Sequence, residues 1–213
     1  METLHNYAGL PAKQKSWVSH QAAYNHFKGR ESLPENHSAV SMCGIQDASD
    51  DSQINWYIRM GFMKKLQYVG LDNDAKKIAF NQKAHGSGVR FLHCFDFVGG
   101  FSRIIDDIIP GFVDLDTIAI AGDREAIRLL TQTMFLCVPG TVLAFNVQID
   151  NRFHPGRSGK QIVRDQLRQE MKDSPGMYED WTRDKAQYYD YTSKRTRMGT
   201  FVFHYRPEGC TLN

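Results

Sequence analysis

Asp72 and Asp74 stand two residues apart in "QYVGLDNDAKKIAF" (67–80), after the apolar run Tyr68 to Leu71 and before a stretch of helical composition. Carboxylates so placed can cap the helix through its free N–H groups. They can also hold a divalent metal as an Asp-x-Asp pair, or grip the paired hydroxyls of a ribose. The pattern recurs along the chain. Gly44, Gln46 and Asp47 follow or close "AVSMCGI", Asn73 lies between the two acids, Asp96 and Phe97 follow "VRFLHCF", and Gly122 and Asp123 follow "DTIAIA". The apolar runs themselves look almost free of acids. Such a set suits a ligand with hydroxyl or ammonium donors and repels a pyrophosphate, unless a metal or a Gly-rich helix start offsets the charge. Neither G-x-G-x-x-G nor G-x-x-x-x-G-K-[ST] occurs, which disfavours a dinucleotide or ATP. Asp123 and His154, in "NRFHPGR", are the candidate bases, although Asp123 is also well placed to cap "REAI".

The elements that must hold these residues alternate regularly. Strands are expected at 39–45, 67–71, 89–95, 116–121 and 141–149. Between them, "SQINWYIRMGFMKKL" repeats Ile54, Ile58, Phe62 and Leu66 every fourth residue, as one helical face does. Residues 74–84 form a second helix. "FSRIIDDII" reads as an amphipathic helix stopped by Pro110-Gly111. Residues 124–138 place Ile127, Leu130, Met134 and Cys137 on one side. This order predicts βαβ units and a parallel sheet buried on both faces. A polar helix near 159–173 precedes "AQYYDYTSKR" and "MGTFVFHYR", an expected antiparallel hairpin at the sheet edge. The predicted fold is α/β, a doubly wound, mostly parallel seven-stranded sheet in three α/β/α layers. Residues 1–38 form an N-terminal helical segment, and 39–213 the main domain.

In an open parallel sheet, ligands bind beyond the C-terminal strand ends, where strand order reverses. There the chain resembles the class I S-adenosylmethionine-dependent methyltransferases over about residues 39–206. "YVGLDND" is similar to the family's second strand, "VRFLHCFDF" to its third, "DTIAIAGDREA" stands in place of the fourth-strand motif, and "LCVPGTVLAF" resembles the entry to the fifth. The resemblance implies a methyltransferase with S-adenosylmethionine as cofactor. It implies Asp72 on the ribose, Asp96 facing the adenine amino group with Phe97 beside the ring, and Gly44 at the methionine part. Asn73 and Asp47 complete the expected cofactor set, and Asp123 is the expected catalytic acid. Two departures stand out. The family's G-x-G-x-G loop is here "CGIQDASDD", and Ala121 sits where some members carry a metal-binding acid, so no metal is expected. Two alternatives stay open: a metal-dependent nucleotide-sugar glycosyltransferase built on Asp72-x-Asp74, and a binding module that kept the fold and lost the cofactor.

Bulk properties narrow the partners. Net charge is +2 and hydrophobic content 41%. Residues 151–213 hold 12 Lys and Arg against 8 Asp and Glu, leaving 14 against 16 before them. A small hydroxylated acceptor is expected first and RNA second, on the strength of the basic tail. Four dispersed cysteines, no signal-like leader and no apolar run of roughly 18 residues suggest a cytoplasmic protein with no membrane partner. Nothing in the sequence speaks to oligomeric state.

Overall fold

The computed structural model describes residues 16–20, 22, 25, 37–44, 46, 52–59, 68–150, 155–193 and 196–209. Seven strands make one sheet: β1 (Ser38–Met42), β2 (Tyr68–Asp72), β3 (Arg90–His93), β4 (Pro110–Ile120), β5 (Val142–Gln148), β6 (Gln187–Ser193) and β7 (Thr196–His204). Their order is β3-β2-β1-β4-β5-β7-β6. The first five are parallel, β7 runs antiparallel to β5, and β6 closes the edge against β7. The expected doubly wound sheet and its terminal hairpin are both present. Among the described residues, no helix is long and apolar enough to cross a membrane.

Helices cover both faces because the parallel strands are apolar on both. Residues 16–20 are helical, as are 22 and 25, and form α1. They are followed by α2 (Gln53–Arg59), α3 (Ala75–His85), α4 (Phe97–Ser102), α5 (Arg124–Leu136), α6 (Gly159–Glu170) and α7 (Pro175–Thr182). On one face Val40, Val69, Leu71, Val113, Leu115, Leu143 and Phe145 pack with Phe101 of α4, Ile127, Leu130 and Met134 of α5, and Ile162 and Leu167 of α6. On the other, Ala39, Tyr68, Phe91, Phe112 and Ala144 meet Trp17 of α1 and Ile54, Trp56 and Tyr57 of α2. The apolar side read for α5 is the buried one. Of the α2 repeat, Phe62 and Leu66 lie outside the described residues.

Three expectations are corrected. Pro110-Gly111 does not stop a helix; it opens β4, which runs for 11 residues instead of starting at 116. Proline is tolerated at the first residue of a strand, where its missing N–H costs least. Gly111 is needed because a Cβ there would sit 2.5 Å from the His37 ring. The helix expected at 101–109 instead begins at Phe97, ends at Ser102, and is followed by a 3-10 turn at Ile105–Asp107. Nor are the strands acid-free, for β4 carries Asp114 and Asp116. Helix α7 is an addition to the sequence reading: Pro175 sits in its first turn, and the fully buried Trp181 stacks on Tyr205 at 4.9 Å.

Candidate functional site

Strand order reverses between β1 and β4, and the two strands part there. Their pairing ends at Ser41–Asp114, whereas β4 stays paired with β5 as far as Ile120–Gln148. The divergence puts the switch point beyond Asp114, the position where open α/β sheets bind ligands in a crevice. The ends of β1, β2 and β3 lie on one side of it and the ends of β4 and β5 on the other.

On the first side, Asp72 is the last residue of β2, and its side chain is 10% exposed. Its Oδ1 accepts the Asp74 N–H at 2.8 Å, and Lys77 Nζ lies 3.8 Å from Oδ2. A carboxylate offers about four lone-pair sites, so this one is oriented and still has capacity. Asp74 is the N-cap of α3, accepting from the Lys76 and Lys77 N–H groups at 2.8 and 3.4 Å. The pair thus serves the turn and the helix start, two of the jobs its spacing allows. Asn73 is exposed, and its carbonyl meets His93 Nε2 at 3.1 Å. Asp96 caps α4 through the Gly99 N–H at 2.7 Å. Phe97 does not face the rim: it is buried, 5.9 Å from the Phe101 ring. The aromatic at the rim is Phe95, 94% exposed beside Asp96.

Gly44 adopts φ +53°, with no heavy atom within 4 Å of where a Cβ would stand. Cys43 before it fills the space left by Gly70, where a Cβ would fall 2.9 Å from its sulfur. The loop is tied to α3 by Asn81, fully buried, whose Nδ2 donates to the Gly44 carbonyl and whose Oδ1 accepts the Gln46 N–H, both at 2.7 Å. Asp47 and His154 lie outside the described residues. Asp123 is the N-cap of α5, exposed, with its Oδ1 on the Glu125 N–H at 2.9 Å.

No protein-family model matches the sequence, and no curated protein matches it. Solved structures do resemble it. The O-methyltransferase TomG from Streptomyces achromogenes, in complex with SAM, aligns with TM-score 0.53 and 13% identity over 97% of this chain and 83% of that one. A human methyltransferase 10 domain containing protein aligns with TM-score 0.52 and 10% identity over 89% and 80%. The O-methyltransferase from Bacillus cereus, in complex with SAH, aligns with TM-score 0.51 and 12% identity over 92% and 85%. The fold is that of the class I S-adenosylmethionine-dependent methyltransferases.

On this methyltransferase fold, the far side of the crevice is backed by a buried polar layer. Asp114, 1% exposed, accepts from Gln53 Nε2, from Asn146 Nδ2 at 3.0 Å and from Ser41 Oγ at 3.4 Å. Gln53 also donates to the Tyr57 hydroxyl at 3.0 Å, which lies 2.9 Å from His20 Nδ1 of α1. Tyr68 donates to Gln53 Oε1 at 3.2 Å, and Thr200 to Asn146 Oδ1 at 2.6 Å. Such satisfaction is what keeps a buried carboxylate affordable. Asp116 is two residues further along β4, on the same face, paired with Asn146 and only partly buried. Burial first, and then the Asp114 carboxylate, push the Tyr57 hydroxyl well above its ordinary value, and Asp116 adds to the push. Burial drives the Cys43 and Cys137 thiols far up as well.

Sequence reasoning missed Phe95, Asn81, Asp114 and Asp116. The alternation in "FVDLD" was the available signal for β4: Val113 and Leu115 face one core, Phe112 and Asp114 the other. Reading Pro110-Gly111 as a stop hid it.

Proposed function

We propose that this chain is an S-adenosylmethionine-dependent methyltransferase acting on a small hydroxylated molecule. The observation that carries the reading is the arrangement around the switch point: an oriented, largely buried Asp72 at the end of β2, Asp96 with the exposed Phe95 at the end of β3, and the open Gly44 loop after β1. Asp72 accepts from the ribose hydroxyls. Asp96 faces the adenine amino group, and Phe95, rather than Phe97, offers the ring a flat apolar face. Gly44 and Asn73 line the approach of the remaining cofactor atoms. When bound, S-adenosylmethionine supplies a methyl group on a positively charged sulfur, which is displaced in line by the acceptor oxygen. The chain's main task is alignment, which alone removes a large part of the barrier.

Across the crevice, Asp116 stands in the role first expected of Asp123. It lies where β4 leaves β1, whereas Asp123 is engaged in starting α5. Asp116 takes the acceptor's hydroxyl proton as the oxygen attacks. In the basic tail Arg157, Arg164, Arg183, Arg197 and Arg206 each lie against a carboxylate, but the excess of cations over acids there remains, which keeps RNA as the second acceptor class. The buried thiols Cys43, Cys94 and Cys137 suit the reducing cytoplasm.

Titration with SAM and SAH, with and without magnesium, tests the reading. The expected result is a rise in melting temperature with both and no dependence on magnesium. Asp72→Asn is expected to weaken SAH about tenfold, the loss of one hydrogen bond to a charged group. Binding that requires magnesium and excludes SAH would instead favour the glycosyltransferase, and no shift with either ligand the cofactor-free module.

A further inference from the structure

We propose that Asn81, on α3, positions the loop after β1 against the methionine half of the cofactor, so that the chain works without a glycine-rich loop. This rests on the cofactor reading above and adds to it a residue and a division of labour. A glycine-rich loop approaches a ligand closely because it lacks side chains and adopts backbone angles others avoid. Here a single glycine, Gly44, has such an angle, at φ +53°. One buried amide ties the described part of the loop, Gly44 and Gln46, to α3. Asn81 is 0% exposed, donates to the Gly44 carbonyl at 2.7 Å and accepts the Gln46 N–H at 2.7 Å. Both partners are main chain, so the tie at Gly44 and Gln46 does not depend on the side chains there. Gln46 extends the clamp: its amide donates to the Cys43 carbonyl and accepts the Ile54 N–H at 3.4 Å, joining the loop to α2.

The same helix sets the other half of the site. Lys77, one turn before Asn81, lies against Asp72, and residues four apart share a helix face. Helix α3 therefore spaces the ribose acid from the methionine loop. Asn81 is a positioning residue, and the loop is what it positions.

The distinguishing experiment is calorimetric titration with SAH and with 5′-methylthioadenosine, which keeps adenine and ribose but lacks the amino-acid part. Wild type should bind SAH the more tightly. Asn81→Ala leaves a buried carbonyl and N–H unpartnered; it is expected to weaken SAH by about tenfold or more while methylthioadenosine changes by less than about twofold. Asn81→Asp keeps the size and the acceptor but loses the donor to Gly44, and is expected to show the same selective loss; it carries the test should the alanine variant not fold. Equal weakening of both ligands, or of neither, overturns the proposal. So does a wild type that binds both equally, although the cofactor reading then survives. A wild type that binds neither removes the cofactor reading itself.

Discussion

Asp116 and Asp123 sit seven residues apart, and their surroundings give them different work. Asp123 spends its Oδ1 on the first turn of α5. Replacing it with alanine is expected to cost about 1 kcal/mol of unfolding free energy, measurable as a shift of the urea midpoint with unchanged slope. Asp116 instead stands at the parting of β1 and β4, above the layer anchored by Asp114. Sinefungin tests this placement without knowledge of the acceptor, because it carries an ammonium where S-adenosylmethionine carries its methylated sulfur. Wild type is expected to prefer sinefungin over SAH by about tenfold, the value of one charge-assisted hydrogen bond. In Asp116→Asn the preference should vanish while SAH affinity stays as it was. A preference that survives the substitution would place the acceptor's partner elsewhere.

At the scale of elements, what was legible followed from periodicity and what was lost followed from punctuation. The helical face of α5 announces itself, because one packing surface dictates it. Residue pairs such as Pro110-Gly111 do not: the same dipeptide ends a helix in one setting and starts a strand in another, and the outcome here rests on tertiary contacts, with β1 paired on one side and His37 packed on Gly111. Asn81 was illegible for a related reason, since its partners are backbone atoms of a loop more than thirty residues away in sequence. Gly70 shows how closely β2 and the first loop fit. A Cβ there would lie 2.7 Å from Phe91 Cδ1 and 2.9 Å from Cys43 Cβ. Gly70→Ala is thus expected to destabilise the fold by about 1–3 kcal/mol through overpacking, seen in chemical denaturation. Because Cys43 would be displaced, the same variant should also weaken SAH. A variant of wild-type stability would mean that β2 and the loop have slack.

The whole molecule is built from two unlike halves of one core. The α4–α6 side of the sheet is filled mainly by aliphatic and aromatic side chains, whereas the α1–α2 side contains a carboxylate, two tyrosines and a histidine held by mutual hydrogen bonds. Burial and the neighbouring carboxylates raise the Tyr57 and Tyr68 hydroxyls, and burial raises the Cys43 and Cys137 thiols. These groups are neutral when protonated. The folded protein therefore keeps their protons at a pH where the unfolded chain releases them, near 9 for cysteine and 10 for tyrosine. Stability from these groups is fully present below those values. It is lost as pH rises beyond them, by up to about 1.4 kcal/mol per group for each pH unit. The urea midpoint is accordingly expected to hold steady to about pH 8.5 and to fall steeply above it. In the native baseline, Tyr57 and Tyr68 should contribute no tyrosinate absorbance; their signal should appear only with the unfolding transition. Full tyrosine titration in a still-folded protein would mean that the polar layer admits water, and Asp114 would then no longer be the sealed anchor of the acceptor side.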